Sequence, residues 1–100
     1  MDIPKEAVDR MVGKALHLVV RLKEVKNYEA NILKEEMLLL GGEVAVPPGM
    51  VDCKRSKGDV LVMGTLKQFI ELLNVMKLQE KYIKCHSLVK DLEAAIKTIP

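Results

Sequence analysis

From Leu16 to Lys23 apolar and polar residues alternate, with Leu16, Leu18, Val20 and Leu22 on one side and His17, Val19, Arg21 and Lys23 on the other. A period of two predicts a strand with one buried face and one mixed face. Glu24 to Asn27 then turns the chain. Asn27 has the side chain of an N-cap, and Ile32, Leu33, Met37 and Leu40 follow it at helical spacing, which predicts a helix over about residues 28–40. Gly41-Gly42 supplies the left-handed conformation that stops a helix. Val44, Ala45 and Val46 form a short apolar strand beyond it. A strand–helix–strand unit of this kind is expected to join parallel strands through a crossover.

Pro47-Pro48-Gly49 ends that strand abruptly. A brief edge strand over residues 50–54, then the basic turn Lys54-Arg55-Ser56-Lys57-Gly58, fits the next stretch. Val60-Leu61-Val62-Met63 is an unbroken apolar run, the pattern of a central strand covered by helices on both faces. Thr65-Leu66-Lys67-Gln68 has the spacing of a capping box. The helix it opens runs to about Leu78, with Phe69, Leu72, Leu73 and Met76 inward. A last helix over about 87–99 carries Leu88, Leu92, Ala95, Ile96 and Ile99, and Tyr82 to Cys85 reads as extended. Upstream, Pro4 suits a first helical turn and Ala7, Val8, Met11 and Val12 share one face, predicting a short helix over 3–14. The expectation is a single α/β domain over residues 1–100. It has a small three- to four-stranded mixed or parallel sheet flanked by helices, in the order α-β-α-β-β-α-α.

Composition narrows the class of protein. Apolar residues make up 49% of the 100 positions and charged residues 30%, which excludes intrinsic disorder. With Tyr28, Tyr82 and Phe69 as the aromatic residues and no Trp, the core must be aliphatic. A net charge of +2 is too small to make nucleic acid or anionic lipid the default partner. Cys53 and Cys85 follow no ligand spacing and cannot define a disulfide framework, so reduced thiols in the cytoplasm are expected. No basic stretch leads into an apolar run at the N-terminus, and the apolar runs are far shorter than the roughly 20 residues a membrane span needs.

Three stretches have a family resemblance: Asn31-Ile32-Leu33-Lys34-Glu35-Glu36-Met37, Gly41-Gly42-Glu43-Val44-Ala45-Val46, and Asp59 through Gln68 in the order Asp-Val-Leu-Val-Met-Gly-Thr-Leu-Lys-Gln. Over about residues 27–78 the chain resembles the segment that precedes the pterin-binding barrel in some bacterial and archaeal dihydropteroate synthases. Met63-Gly64-Thr65 with Gln68 is the most specific part. The resemblance implies a small α/β domain of folate-pathway ancestry. It does not imply synthase activity, because that reaction joins p-aminobenzoate to a pterin pyrophosphate inside a barrel of well over roughly two hundred residues, which this chain lacks. No catalytic residue is carried over. The chain is then either a stand-alone relative or a fragment whose partner barrel is a separate chain.

The chemistry available to the chain is sparse. His17, His86, Cys53 and Cys85 do not have the closed ligand pattern of a zinc site, so no metal and no cofactor is expected. Cys85 and His86 are adjacent, which is poor geometry for a nucleophile and its base, and no catalytic residue is assigned. The Gly64-Thr65 junction places a strand end before a helix N-terminus, a position that attracts anions. If the strands are parallel, Pro48-Gly49 and Asn27 gather at the same sheet edge. Gly64, Thr65 and Gln68, faced by Pro48 and Gly49, are therefore the candidate ligand site. Neither a dinucleotide fingerprint nor a P-loop accompanies them, and an ordinary capping box explains Thr65 and Gln68 equally well.

Two classes of function remain. One is a non-catalytic accessory or interaction domain related to the leading domain of dihydropteroate synthases, acting by homodimerisation or by docking onto a protein with a pterin-binding barrel. Its interface would use the mixed face of the first strand, which includes Val19, or the terminal helices. The other is a small RNA-binding module using the basic loop 54–57. RNA modules usually stack bases on exposed strand aromatics, and no predicted strand carries one, so a solvated loop is the favoured reading.

Overall fold

The structure is a computed structural model and describes residues 16–98. The helix expected over 3–14 lies outside the described residues. Within them the order is β1 (His17–Lys26), α1 (Asn27–Leu39), β2 (Glu43–Ala45), β3 (Lys57–Thr65), α2 (Leu66–Gln79) and α3 (His86–Lys97). The α/β class, the three strands and the order of the elements agree with the sequence pattern.

Strand direction differs from the expectation of a mixed or parallel sheet. The sheet order is β1-β3-β2, and β3 is antiparallel to both neighbours. β1 and β2 do run in the same direction on either side of the α1 crossover, but β3 is inserted between them in a split β-α-β arrangement. The long connection over residues 46–56 gives β3 the reach to enter that gap. No edge strand forms over residues 50–54, which make successive turns instead.

β1 keeps its alternation: Leu18, Val20 and Leu22 turn inward while His17, Val19 and Arg21 are exposed. It also runs past the expected turn. A register shift between Leu22 and Val25, with Glu24 at φ 52°, forms a bulge that returns Val25 to the core. Lys26, rather than Asn27, caps α1, and its N–H donates to Glu29 Oε1 at 3.1 Å. α1 closes as expected. Gly41 lies at φ 92°, Gly42 N–H donates to the Met37 carbonyl and Gly41 N–H to that of Leu38, the paired bonds of a Schellman motif.

Leu22, Leu33, Met37, Val44, Val60, Val62, Phe69, Leu72, Met76 and Leu92 form the core, all at most 3% exposed. It lies between one face of the sheet and the helices: α1 packs on all three strands, α2 on β3, and α3 on α2 and β1. The apolar run in β3 is therefore not covered on both sides. Val60 and Val62 are buried, whereas Leu61, pointing the other way, is 40% exposed. Among the described residues the opposite face of the sheet has no helix over it.

Candidate functional site

At the carboxyl end of β3 the chain folds onto itself. Thr65 ends the strand in extended conformation and caps α2: its Oγ1 accepts the Gln68 N–H at 3.1 Å, and Gln68 Oε1 accepts the Thr65 N–H at 2.8 Å. Gln68 Nε2 then donates to the Leu40 carbonyl at 3.0 Å, tying the start of α2 to the end of α1. The Leu66 N–H donates to the Leu16 carbonyl. An anion site at a helix N-terminus needs free donors, and here the Leu66 and Gln68 donors are engaged by the chain itself.

The glycines at this end serve close packing. A Cβ on Gly64 would lie 2.6 Å from Met37 Cε and 2.7 Å from Gln68 Oε1, and one on Gly42 would lie 2.7 Å from the Met63 carbonyl oxygen. Gln68 can reach Leu40 because Gly41 and Gly64 leave it room.

Pro48 and Gly49 lie at the other end. They follow β2, whose Ala45 is opposite Leu61, and the adjoining Pro47 packs against Gly58 at the start of β3. Gly58 and Gly64 are six steps apart along extended strand, about 20 Å at ~3.3 Å per residue. The structure thus unites Gly64, Thr65 and Gln68, and places Pro48 and Gly49 away from them. Asn27 does join the Pro48 end, since β1 and β2 both finish there. Its N–H donates to the Ser56 carbonyl and its side chain to the Arg55 carbonyl.

The loop between β2 and β3 is exposed apart from Met50, which is fully buried, and partly buried residues at its start. Arg55 is turned back into the loop, its N–H donating to the Gly49 carbonyl and its Nε to that of Lys57. Lys54 lies 3.9 Å from Asp52, with both side chains largely in solvent.

A cleft of about 680 Å³, absent from the sequence reading, opens between the end of β1, the start of α1 and the α2–α3 connection. Glu29, 5% exposed, and Cys85, 1% exposed, line its base, with Lys23, Lys26, Glu80 and His86 around them. Its residues come from separated stretches without a common motif, so no local signal announces it. Cys85 and His86 diverge. The thiol points to the Met76 carbonyl at 3.9 Å, and His86 Nδ1 lies 3.3 Å from Glu80 Oε1. Burial pushes the Cys85 thiol above its usual range, and Glu80 and Glu29 push the same way. A protonated, buried thiol is a packing residue rather than a nucleophile. No group of three or more His, Cys, Asp or Glu able to hold a metal ion occurs among the described residues.

The uncovered face of the sheet carries Val19, Met63 and Glu43 in one row and Arg21, Leu61 and Ala45 in the next. Val19 is 66% exposed. Beside Arg21, Asp59 accepts hydrogen bonds from its Nε and Nη2 and from the Glu24 N–H. The Glu24 N–H first, and the Arg21 guanidinium next, hold the Asp59 carboxyl below the usual range.

Comparison with known proteins gives one informative likeness. The chain is 41% identical over 63 residues to a probable bifunctional folylpolyglutamate synthase/dihydropteroate synthase of Halobacterium salinarum. It is a partial homologue of that protein. The match takes in 63% of this chain but 8% of the relative's length, so what the two share is a segment. No family model matches the chain, and no solved structure does. Among the described residues no helix is long and apolar enough to cross a membrane.

Proposed function

We propose that this chain is a non-catalytic interaction module of folate-pathway lineage, acting by docking onto a pterin- or folate-pathway enzyme or by self-association. The observation that carries this reading is the 63-residue likeness to a segment of a folate-pathway enzyme. The residues that give the chain its family character have structural work in it. Thr65 and Gln68 close the helix cap, Gly41 and Gly64 leave room for Gln68, and the Leu66 and Gln68 donors of α2 are engaged. A stretch whose polar groups are used up in holding its own shape acts through the surfaces that shape presents. The sheet face opposite the helices offers one, with apolar side chains in the open.

The test is a titration of the purified protein into the purified dihydropteroate synthase of its own organism, followed by light scattering and calorimetry. A saturable complex with a dissociation constant of about 10 μM or tighter is expected, the strength of a modest specific interface. Absence of any complex at roughly tenfold higher concentrations, together with a protein that never self-associates, would overturn the reading.

A further inference from the structure

We propose that the sheet face left open among the described residues seats a second copy of this chain, sheet against sheet, in a weak two-fold dimer. The inference rests on the interaction reading above and gives it a surface and a partner. Both edges of the sheet are unsuited to strand addition. β2 is only three residues long, and the outer edge of β1 is broken by the bulge at Glu24 and flanked by Lys23 and Lys26. The face is the better surface.

Its pattern is self-complementary. Four positions form the corners of the central patch: Val19 and Arg21 on β1, Glu43 and Ala45 on β2, with Met63 and Leu61 between them on β3. Arg21 and Glu43 occupy opposite corners, and Val19 and Ala45 the other two. A two-fold axis lying in the interface along the Val19–Ala45 diagonal exchanges the charged corners. Each Arg21 then sits near the Glu43 of the other copy, and Leu61 meets Met63 across the axis. The strands of the two sheets cross steeply, in the orthogonal class of sheet packing, and the contact is isologous. Arg21 engages Asp59 through Nε and Nη2. Its planar five-donor group therefore keeps an edge for a second carboxylate.

Size sets the strength. A face of three strands, with ~4.8 Å between strands and ~3.3 Å per residue, offers roughly 400 Å² per copy. Two copies bury about 800 Å², below the ~1,200 Å² at which standard specific interfaces begin. The dimer is accordingly reversible, with a dissociation constant in the range of about 10 μM to 1 mM.

The experiment is sedimentation equilibrium on the full chain from about 10 μM to 1 mM, with circular dichroism as the control for folding. The expected result is a mass that rises from monomer toward dimer. Leu61→Glu should hold the chain monomeric without changing its helix content. Arg21→Glu and Glu43→Arg should each raise the dissociation constant about tenfold, and the doubly exchanged chain should recover most of the loss. A monomer at every concentration overturns the proposal. So does a dimer indifferent to Leu61→Glu. A monomer that loses thermal stability on Leu61→Glu would show that the chain's own residues cover the face, and also overturns it. If the monomeric chain still binds the synthase, the interaction reading stands without this dimer. If it dimerises but binds no enzyme, the dimer stands and docking falls.

Discussion

The two ends of β3 show two ways of finishing a strand. At the carboxyl end the chain is closed: Thr65 and Gln68 satisfy each other, Gln68 reaches Leu40, and glycines at 41 and 64 let these groups approach. At the amino end a long loop is held by few contacts, chiefly the buried Met50 and the Asn27 bonds to Arg55 and Ser56, and most of its side chains face water. The end with the more distinctive sequence is the end with less to offer a ligand. A motif at a strand-to-helix junction signals a binding site only when its donors are free, and at this junction the chain has already engaged those of Leu66 and Gln68.

The largest effect should come from the open end, where Met50 is the fully buried side chain of the loop. Met50→Ala is expected to destabilise the protein by about 2–5 kcal/mol, the range for removing a fully buried long side chain. Urea unfolding monitored by circular dichroism measures it. A loss under about 1 kcal/mol would mean that hydrogen bonds from Asn27 and Asn31 hold the loop without the anchor, and the two ends would then be more alike than their packing suggests.

Gln68→Leu probes the closed end and should have the next largest effect. Leu has a similar volume but leaves the Thr65 N–H and the Leu40 carbonyl without their partner, a loss of about 1–3 kcal/mol for partly buried groups. Thr65→Ala removes only the cap acceptor, and about 1 kcal/mol is expected. If Gln68→Leu were no worse than Thr65→Ala, the tie to Leu40 would be incidental. The closed end would then be an ordinary capping box.

These ends also mark what could be read from the sequence. The Thr65–Gln68 box, the Gly41-Gly42 stop and the Leu18–Val20–Leu22 alternation were legible because each depends on residues within a few positions of one another. Strand direction was not. A period of two says which side chains share a face but not which strand lies alongside, and β3 pairs with β1 across some forty intervening residues. Val60 to Met63 looked buried on both sides because Leu61 and Met63 are apolar, whereas the structure leaves Leu61 in the open. The same limit applies to the site. Grouping Pro48 and Gly49 with Gly64 followed from parallel strands, and one inserted antiparallel strand puts them at opposite ends. Asn27 resembled a cap, yet its side chain closes the loop, while the cap is completed by the Glu29 carboxylate accepting the Lys26 N–H. Nothing local to Asn27 points to Arg55.

The smallest effect is expected at the charges of the open end. Lys54 and Lys57 are exposed, and Lys54 has only a long contact to Asp52. Exposed pairs of this kind contribute about 0–1 kcal/mol, so the Lys54→Ala, Lys57→Ala double variant should unfold within about 0.5 kcal/mol of the parent. Arg55 is left in place because its backbone and guanidinium bonds organise the loop. The same variant examines the nucleic-acid reading. If these lysines served to neutralise phosphates, the parent would bind single-stranded RNA with an affinity falling steeply with salt, and the variant would show a shallower slope. The expected outcome is no salt-dependent binding by either protein, since the strands present no aromatic platform and Arg55 is committed to its own loop. A measurable slope in the parent that flattens in the variant would make the open end the functional one, and the contrast with the closed end would acquire a purpose: one end built to hold the fold, the other left free to meet a polyanion.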